Sequence, residues 1–141
     1  MKIVGAILAR NEEGRYLEET LTDVARFCDE IVVVDDGSTD GTRELCQSFG
    51  ARVEQAWAIP PNIALATSRD KRVGKAFWGN DETTPRAALW RLAAERAGES
   101  GWIYVFDADH LLTGITPDDF RTLCRAENIN AWAFRLLDCW G

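Results

Sequence analysis

Two acidic groups in this 141-residue sequence could do chemistry, Asp35-Asp36 and Asp107-Ala108-Asp109, and each follows directly on an apolar run. Carboxylates are hard oxygen ligands, and one or two of them commonly share a divalent cation with the phosphates of a bound substrate. Residues at i and i+2 of an extended chain share a face, so Asp107 and Asp109 are expected to address one Mg²⁺ or Mn²⁺ ion. Asp36 ends the other run and is expected to border the same crevice. His110 comes next in the chain and reads as an exposed turn histidine, with metal ligation as the alternative.

These groups need a scaffold that brings two strand ends together. Ile31 to Val34 is an unbroken β-branched run, the pattern of a strand covered on both faces in a parallel sheet. Gly37 relieves the turn that follows, and Ser38, Thr39 or Asp40 can cap the next helix. Trp102 to Phe106 is the equivalent strand before Asp107. Acidic side chains at the carboxyl ends of parallel strands stand where open α/β sheets bind ligands.

Lys2 to Ala9 is expected as the first strand. Asn11 is expected to cap a helix with Glu12 and Glu13 in its first turn and Leu17, Leu21, Val24, Ala25 and Cys28 on its buried stripe. A helix over 40–49 turns Thr42, Leu45, Cys46 and Phe49 inward and stops at Gly50, and Ala51 to Ala56 forms a third strand. Thr84 caps and Pro85 opens a helix whose stripe is Leu89, Leu92, Ala93 and Ala97, ended by Gly98. Pro117 to Arg125 reads as a short helix and Ala131 to Leu137 as a last strand. Residues 57–82 lack periodicity and hold Arg69, Lys71, Arg72 and Lys75; they read as a solvated loop or as a segment that closes over a phosphate-bearing ligand. The β-α-β-α-β opening predicts an α/β fold, a three-layer α/β/α sandwich with a mostly parallel, Rossmann-like sheet.

Residues 1–141 are expected to form one domain, large enough to bury a core. The net charge of −7 argues against a nucleic-acid partner, which would need a basic face, but allows a small phosphate ligand held by a cation. Cys28, Cys46, Cys124 and Cys139 make no CxxC pair and read as reduced, mostly buried thiols. The apolar run Ile3 to Ala9 is too short for a membrane span. With no transmembrane segment visible, a cytoplasmic location is expected.

Taken together, the motifs resemble those of the inverting glycosyltransferases of family 2, which have the GT-A fold. Ala9-Arg10-Asn11-Glu12-Glu13 is similar to the segment with which that family wraps the nucleobase. Val34-Asp35-Asp36-Gly37-Ser38-Thr39-Asp40-Gly41-Thr42 matches its second segment. Arg86 resembles the arginine of an Arg-Asn pair, although Ala87 stands in place of the Asn, and Asp107-Ala108-Asp109 resembles the family's metal motif. The resemblance implies a nucleoside-diphosphate sugar donor (UDP-, GDP- or dTDP-sugar) bound by Ala9, Asn11, Glu13, Asp36, Arg86, Asp107 and Asp109. Asp36 would meet the base and Arg86 would line the donor site. Asp107 would touch ribose and metal, and Asp109 would ligate the Mn²⁺ or Mg²⁺ that bridges the diphosphate. The implied reaction is metal-dependent glycosyl transfer, with inversion, to an acceptor hydroxyl on a saccharide, lipid or protein.

In that family the acceptor half and the catalytic carboxylate normally lie beyond the metal motif. The chain therefore reads as a GT-A-like donor-binding half, its acceptor-binding half missing or minimal, with Asp138 as the one late aspartate placed to act as base. A non-catalytic nucleotide-sugar-binding module is the main alternative. A haloacid-dehalogenase-type phosphatase would use Asp107 as nucleophile, but Leu111 stands where that family resembles Thr or Val, and Asp35-Asp36 goes unexplained. A dinucleotide-binding domain needs a Gly-rich turn after the first strand, which Ala9-Arg10-Asn11-Glu12 is not. A sugar-phosphate nucleotidyltransferase would carry a glycine-rich loop with a basic residue near its start, which is absent. Trp78 and Trp140 are candidate sugar-stacking rings, with core or loop packing as the alternative.

Overall fold

The computed structural model describes residues 1–56, 83–135 and 137. Its elements alternate in chain order: β1 (Ile3–Ala9), α1 (Leu17–Val24), β2 (Glu30–Asp35), α2 (Thr42–Ser48), β3 (Arg52–Gln55), α3 (Thr83–Ala97), β4 (Trp102–Val105) and α4 (Pro117–Cys124). Among the described residues the strands form one sheet in the order β3-β2-β1-β4. Every neighbouring pair is parallel, with Ala9 opposite Asp35, Val33 opposite Val53 and Ala6 opposite Val105.

The unbroken apolar runs have a direct cause. All seven residues of β1 are buried, because helices cover both faces of the sheet. Ile7, Ala9, Ile31 and Val33 face Leu17, Leu21 and Val24 of α1 and Cys46 of α2. On the other face Val4, Ala6, Leu8, Val32 and Val34 pack against Leu89, Ala93 and Ala97 of α3. At the amino end of the strands, Phe120 and Cys124 of α4 pack on Ile3 and Phe27. The architecture is the expected three-layer α/β sandwich. Cys28, Cys46 and Cys124 are free thiols, and burial pushes Cys28 and Cys46 up to about 12, which keeps both unreactive. Among the described residues, no helix is long and apolar enough to cross a membrane.

Several local expectations are corrected. Asn11 does not cap a helix: α1 begins at Leu17, and Glu18 and Glu19 are its first-turn acids. Asn11 sits at φ 52 in a loop instead, a left-handed conformation that Asn tolerates better than most residues. Ala25 is exposed, because the chain leaves the α-helix after Val24 through tighter bonds, Arg26 N to Asp23 O at 3.0 Å and Phe27 N to Val24 O at 2.9 Å. That tightening turns Phe27 into the core in its place. Residues 131–135 and 137 form no strand. Trp132 and Phe134 remain 41% and 43% exposed; Phe134 stacks on Phe120 at 5.8 Å, and Trp132 Nε1 donates to the Leu123 carbonyl. These residues find a helix to lean on rather than a strand to pair with. The basic cluster between 57 and 82, Trp78, Asp138, Cys139 and Trp140 lie outside the described residues.

Helix α3 runs from Thr83, so Thr84 lies inside its first turn rather than before it. At its other end Gly98 takes φ +70 and the chain doubles back. A Cβ on Gly101 would lie 2.2 Å from the Ala97 carbonyl oxygen and 2.7 Å from its carbon. Both are backbone atoms of the last helical turn and cannot move without unwinding it. Gly101→Ala is therefore expected to destabilise the protein by about 1–3 kcal/mol in urea denaturation, the usual cost of forced overpacking. An unchanged midpoint would show that the turn between α3 and β4 adapts freely.

Candidate functional site

Among the described residues, the carboxyl ends of the strands carry the loop after β1, the loop after β2 and the turn after β4. The first two are clasped together. Asn11 N donates to Ser38 Oγ at 3.0 Å, and its Oδ1 accepts from Thr39 N at 2.9 Å. Thr42 Oγ1 accepts from Glu12 N at 2.7 Å and donates to Asp40 Oδ1 at 2.6 Å. Glu13 N donates to Asp40 Oδ2, while Glu13 Oε2 accepts from Gly41 N at 2.8 Å. Burial alone would raise the Asp40 carboxyl pKa, but hydrogen bonds from the Thr42 hydroxyl and amide and the Glu13 amide bring it below its ordinary value. Half of the sequence motif around Asp36 thus grips the other loop.

Asp35 and Asp36 are fully buried. Asp35 accepts from Ser38 N at 3.2 Å, and the Asp36 amide continues the β1 ladder by donating to the Ala9 carbonyl at 2.9 Å. Ala9 is itself buried, directly opposite Asp35.

The acidic segment after β4 is a tight turn, not the extended chain expected. His110 N donates back to the Asp107 carbonyl at 3.1 Å. The two carboxylates nevertheless converge, for a different reason: the turn folds His110 over both. His110 Nε2 lies 3.7 Å from Asp107 Oδ2 and 3.9 Å from Asp109 Oδ1, and its Nδ1 accepts from Asp107 N at 3.2 Å. The histidine is half-buried rather than exposed, while the Asp107 and Asp109 side chains are 59% and 52% exposed.

Both acids open into a recess of about 310 Å³. Leu8, Glu12, Arg15 and Tyr16 line it on the β1 side and Arg86 on the α3 side, so residues from both helical layers meet there. Arg15 pairs with Glu12 at 3.5 Å. Burial raises the Glu12 carboxyl pKa, Arg15 opposes the rise, and the nearby charges of Asp109 and Asp40 add to it. A wider depression of about 520 Å³ lies along the outer face of α1 and gathers no strand-end residue.

Of the sequence-predicted residues, Asp107, Asp109 and Arg86 come together around the recess. Asn11 and Glu13 are engaged in the clasp, and Ala9 and Asp36 are enclosed behind it. Glu12, Arg15 and Tyr16 were not singled out. Among the described residues, no group of three or more His, Cys, Asp or Glu is placed to hold a metal ion. Two exposed carboxylates on one turn fit an ion that takes its remaining oxygens from phosphates and water.

The sequence model of glycosyl transferase family 2 matches residues 6–116. An uncharacterized glycosyltransferase of Rickettsia bellii (strain RML369-C) is 27% identical over 127 residues, covering 90% of this chain and 34% of that protein. The chain thus spans about a third of the length of this curated relative. Staphylococcus aureus TarS (residues 1–349), solved with UDP, superposes with a TM-score of 0.59 at 23% identity, over 86% of this chain and 31% of that one. Glucosyl-3-phosphoglycerate synthase from Mycobacterium tuberculosis, solved with Mn²⁺, UDP and glucosyl-3-phosphoglycerate, superposes with a TM-score of 0.53 at 28% identity, over 91% of this chain and 41% of that one.

Proposed function

This chain belongs to glycosyl transferase family 2, with the GT-A architecture, and on that premise we propose that it binds the nucleoside-diphosphate end of a sugar donor for inverting transfer to an acceptor hydroxyl. The observation that carries the reading is the recess itself. Asp107 and Asp109 share one exposed turn at the carboxyl end of a parallel sheet, with Arg86 and Arg15 facing the same space. The synthase at 28% identity was solved with UDP and Mn²⁺, which supports both the ligand class and the ion.

In this arrangement Asp107 and Asp109 would hold a Mn²⁺ or Mg²⁺ ion, which when bound would supply positive charge to stabilise a departing diphosphate. Guanidinium groups pair well with phosphate oxygens, so Arg86 and Arg15 orient the same group. Asp36 is proposed to serve the base end; its side chain is fully buried beside the recess rather than part of its lining, so that contact requires the loop after β2 to shift. The chain is read as acting in the cytoplasm on a saccharide, lipid or protein acceptor.

A thermal-shift screen of UDP, GDP and dTDP, with Mn²⁺ and with EDTA, tests the reading. A ligand present at 100 times its Kd stabilises the folded state by about 2.7 kcal/mol, a rise of several degrees in Tm. One nucleoside diphosphate is expected to give such a rise with Mn²⁺ and a smaller one with EDTA. No rise with any of the three would sink the proposal.

A further inference from the structure

Thr20 is a fully buried hydroxyl inside the apolar stripe of α1, between Leu17, Leu21 and Val24. A helical threonine ordinarily returns its hydroxyl to the carbonyl four residues back. Thr22 does so, donating to the Glu18 carbonyl at 2.8 Å. Thr20 instead donates across the fold to the Ala108 carbonyl, also at 2.8 Å. Ala108 is the centre of the acidic turn, and its methyl group packs on the same core cluster as α1. Asp23, one helical turn further on, accepts from Leu112 N at 2.8 Å. The helix therefore grips this segment at two points. The middle peptide is held from below, and the flanking side chains of Asp107 and Asp109 point outward.

We propose that Thr20 is a positioning residue: its hydroxyl, bonded to the Ala108 carbonyl, fixes the orientation in which Asp107 and Asp109 share one divalent cation with a donor diphosphate. The inference rests on the donor-binding reading above. Losing an outer partner that orients a metal ligand typically costs roughly 10–100-fold in metal affinity. The Ala108 carbonyl has the same leverage here, since turning that peptide swings both carboxylates.

Calorimetric titration of UDP, with Mn²⁺ and with EDTA, on wild type, Thr20→Val and Thr20→Ser separates the possibilities. Thr20→Val keeps the shape and removes the hydroxyl; it is expected to lose roughly 10–100-fold in affinity with Mn²⁺ and to match wild type in EDTA. Thr20→Ser restores the hydroxyl and most of the affinity. Thr20→Ala removes the same bond without the β-branched side chain, and gives the same readout should the valine variant not fold. A purely structural role would lower Tm yet leave the ratio of the two affinities at its wild-type value, which overturns the proposal. Wild type that binds UDP in neither condition overturns the donor reading itself, and the positioning role with it.

Discussion

Asp109→Ala is expected to abolish the Mn²⁺-dependent part of nucleotide binding and to leave the fold intact. The Asp109 side chain is half exposed on a turn, so its removal opens no cavity and also relieves repulsion from Asp107. Asp36 is the contrasting case. It is fully enclosed, so the shape-conserving Asp36→Asn is the better probe. Its proposed partner is the base, which carries no ion, so Asp36→Asn should weaken binding equally with Mn²⁺ and with EDTA. Calorimetry of UDP and GDP binding to both variants in both conditions decides the matter. The two must differ in metal dependence and not merely in affinity. Equal losses throughout would mean that the two acidic strand ends do not have separate roles. Unchanged binding in Asp109→Ala would leave the turn as solvated surface.

Phe27→Ala should cause the largest loss of stability, about 3–5 kcal/mol, as expected for removing a fully buried aromatic side chain. Its ring meets Phe120 edge to face at 5.4 Å and joins α4 to the sheet, with the Arg26 guanidinium 5.3 Å from the ring centroid. Helix α4 is also held by Tyr104 of β4, edge to face with Phe120 at 5.5 Å, and by the ion pair between Arg121 and Asp29 at 2.6 Å, whose side chains are 29% and 37% exposed. Partly exposed pairs contribute about 0.2–1 kcal/mol, too little to hold the helix alone. Amide exchange should accordingly quicken first in α4. Nucleotide binding should survive in the folded fraction, because Phe27 sits at the opposite end of the strands from the recess. A urea-denaturation loss below about 1 kcal/mol would show that α4 is anchored by something other than this ring pair.

The sheet was legible in the sequence because Ile31–Val34 and Ile3–Ala9 are apolar at every position, a pattern that only two-sided cover explains. The helices that supply this cover were legible through Leu17, Leu21, Leu89 and Ala93. Loop chemistry was less so. Asn11, Ser38, Thr39, Asp40 and Thr42 have the side chains of helix caps, and those side chains bind backbone amides as caps do. Most of those amides belong to the facing loop, however, and a single sequence does not reveal which amide a hydroxyl will find. The same limit hid Glu12 and Thr20. The apolar run Ala131–Leu137 shows the converse error: its composition suits a strand, but a strand forms only where an edge accepts it, and Phe134 found Phe120 instead.

The clasp between the two loops also withdraws one class of donor that a phosphate could meet. Many phosphate sites are lined by peptide N–H groups, at a helix start or in a concave turn. Here the amides of Asn11, Glu12, Glu13, Ser38, Thr39, Gly41 and Thr42 all donate inward to side-chain oxygens, and the amide that opens α2 is already met by a carboxylate. A bare diphosphate entering the recess would meet few peptide donors from these loops and would face Glu12, Asp107 and Asp109, with Arg15 and Arg86 as the opposing charges. For the proposed donor, ion and diphosphate are expected to bind best together, with Arg15 and Arg86 leaving a weaker affinity for the nucleotide alone. With those amides turned inward, the recognition of charge falls to the two guanidinium groups and to the ion that the ligand brings along.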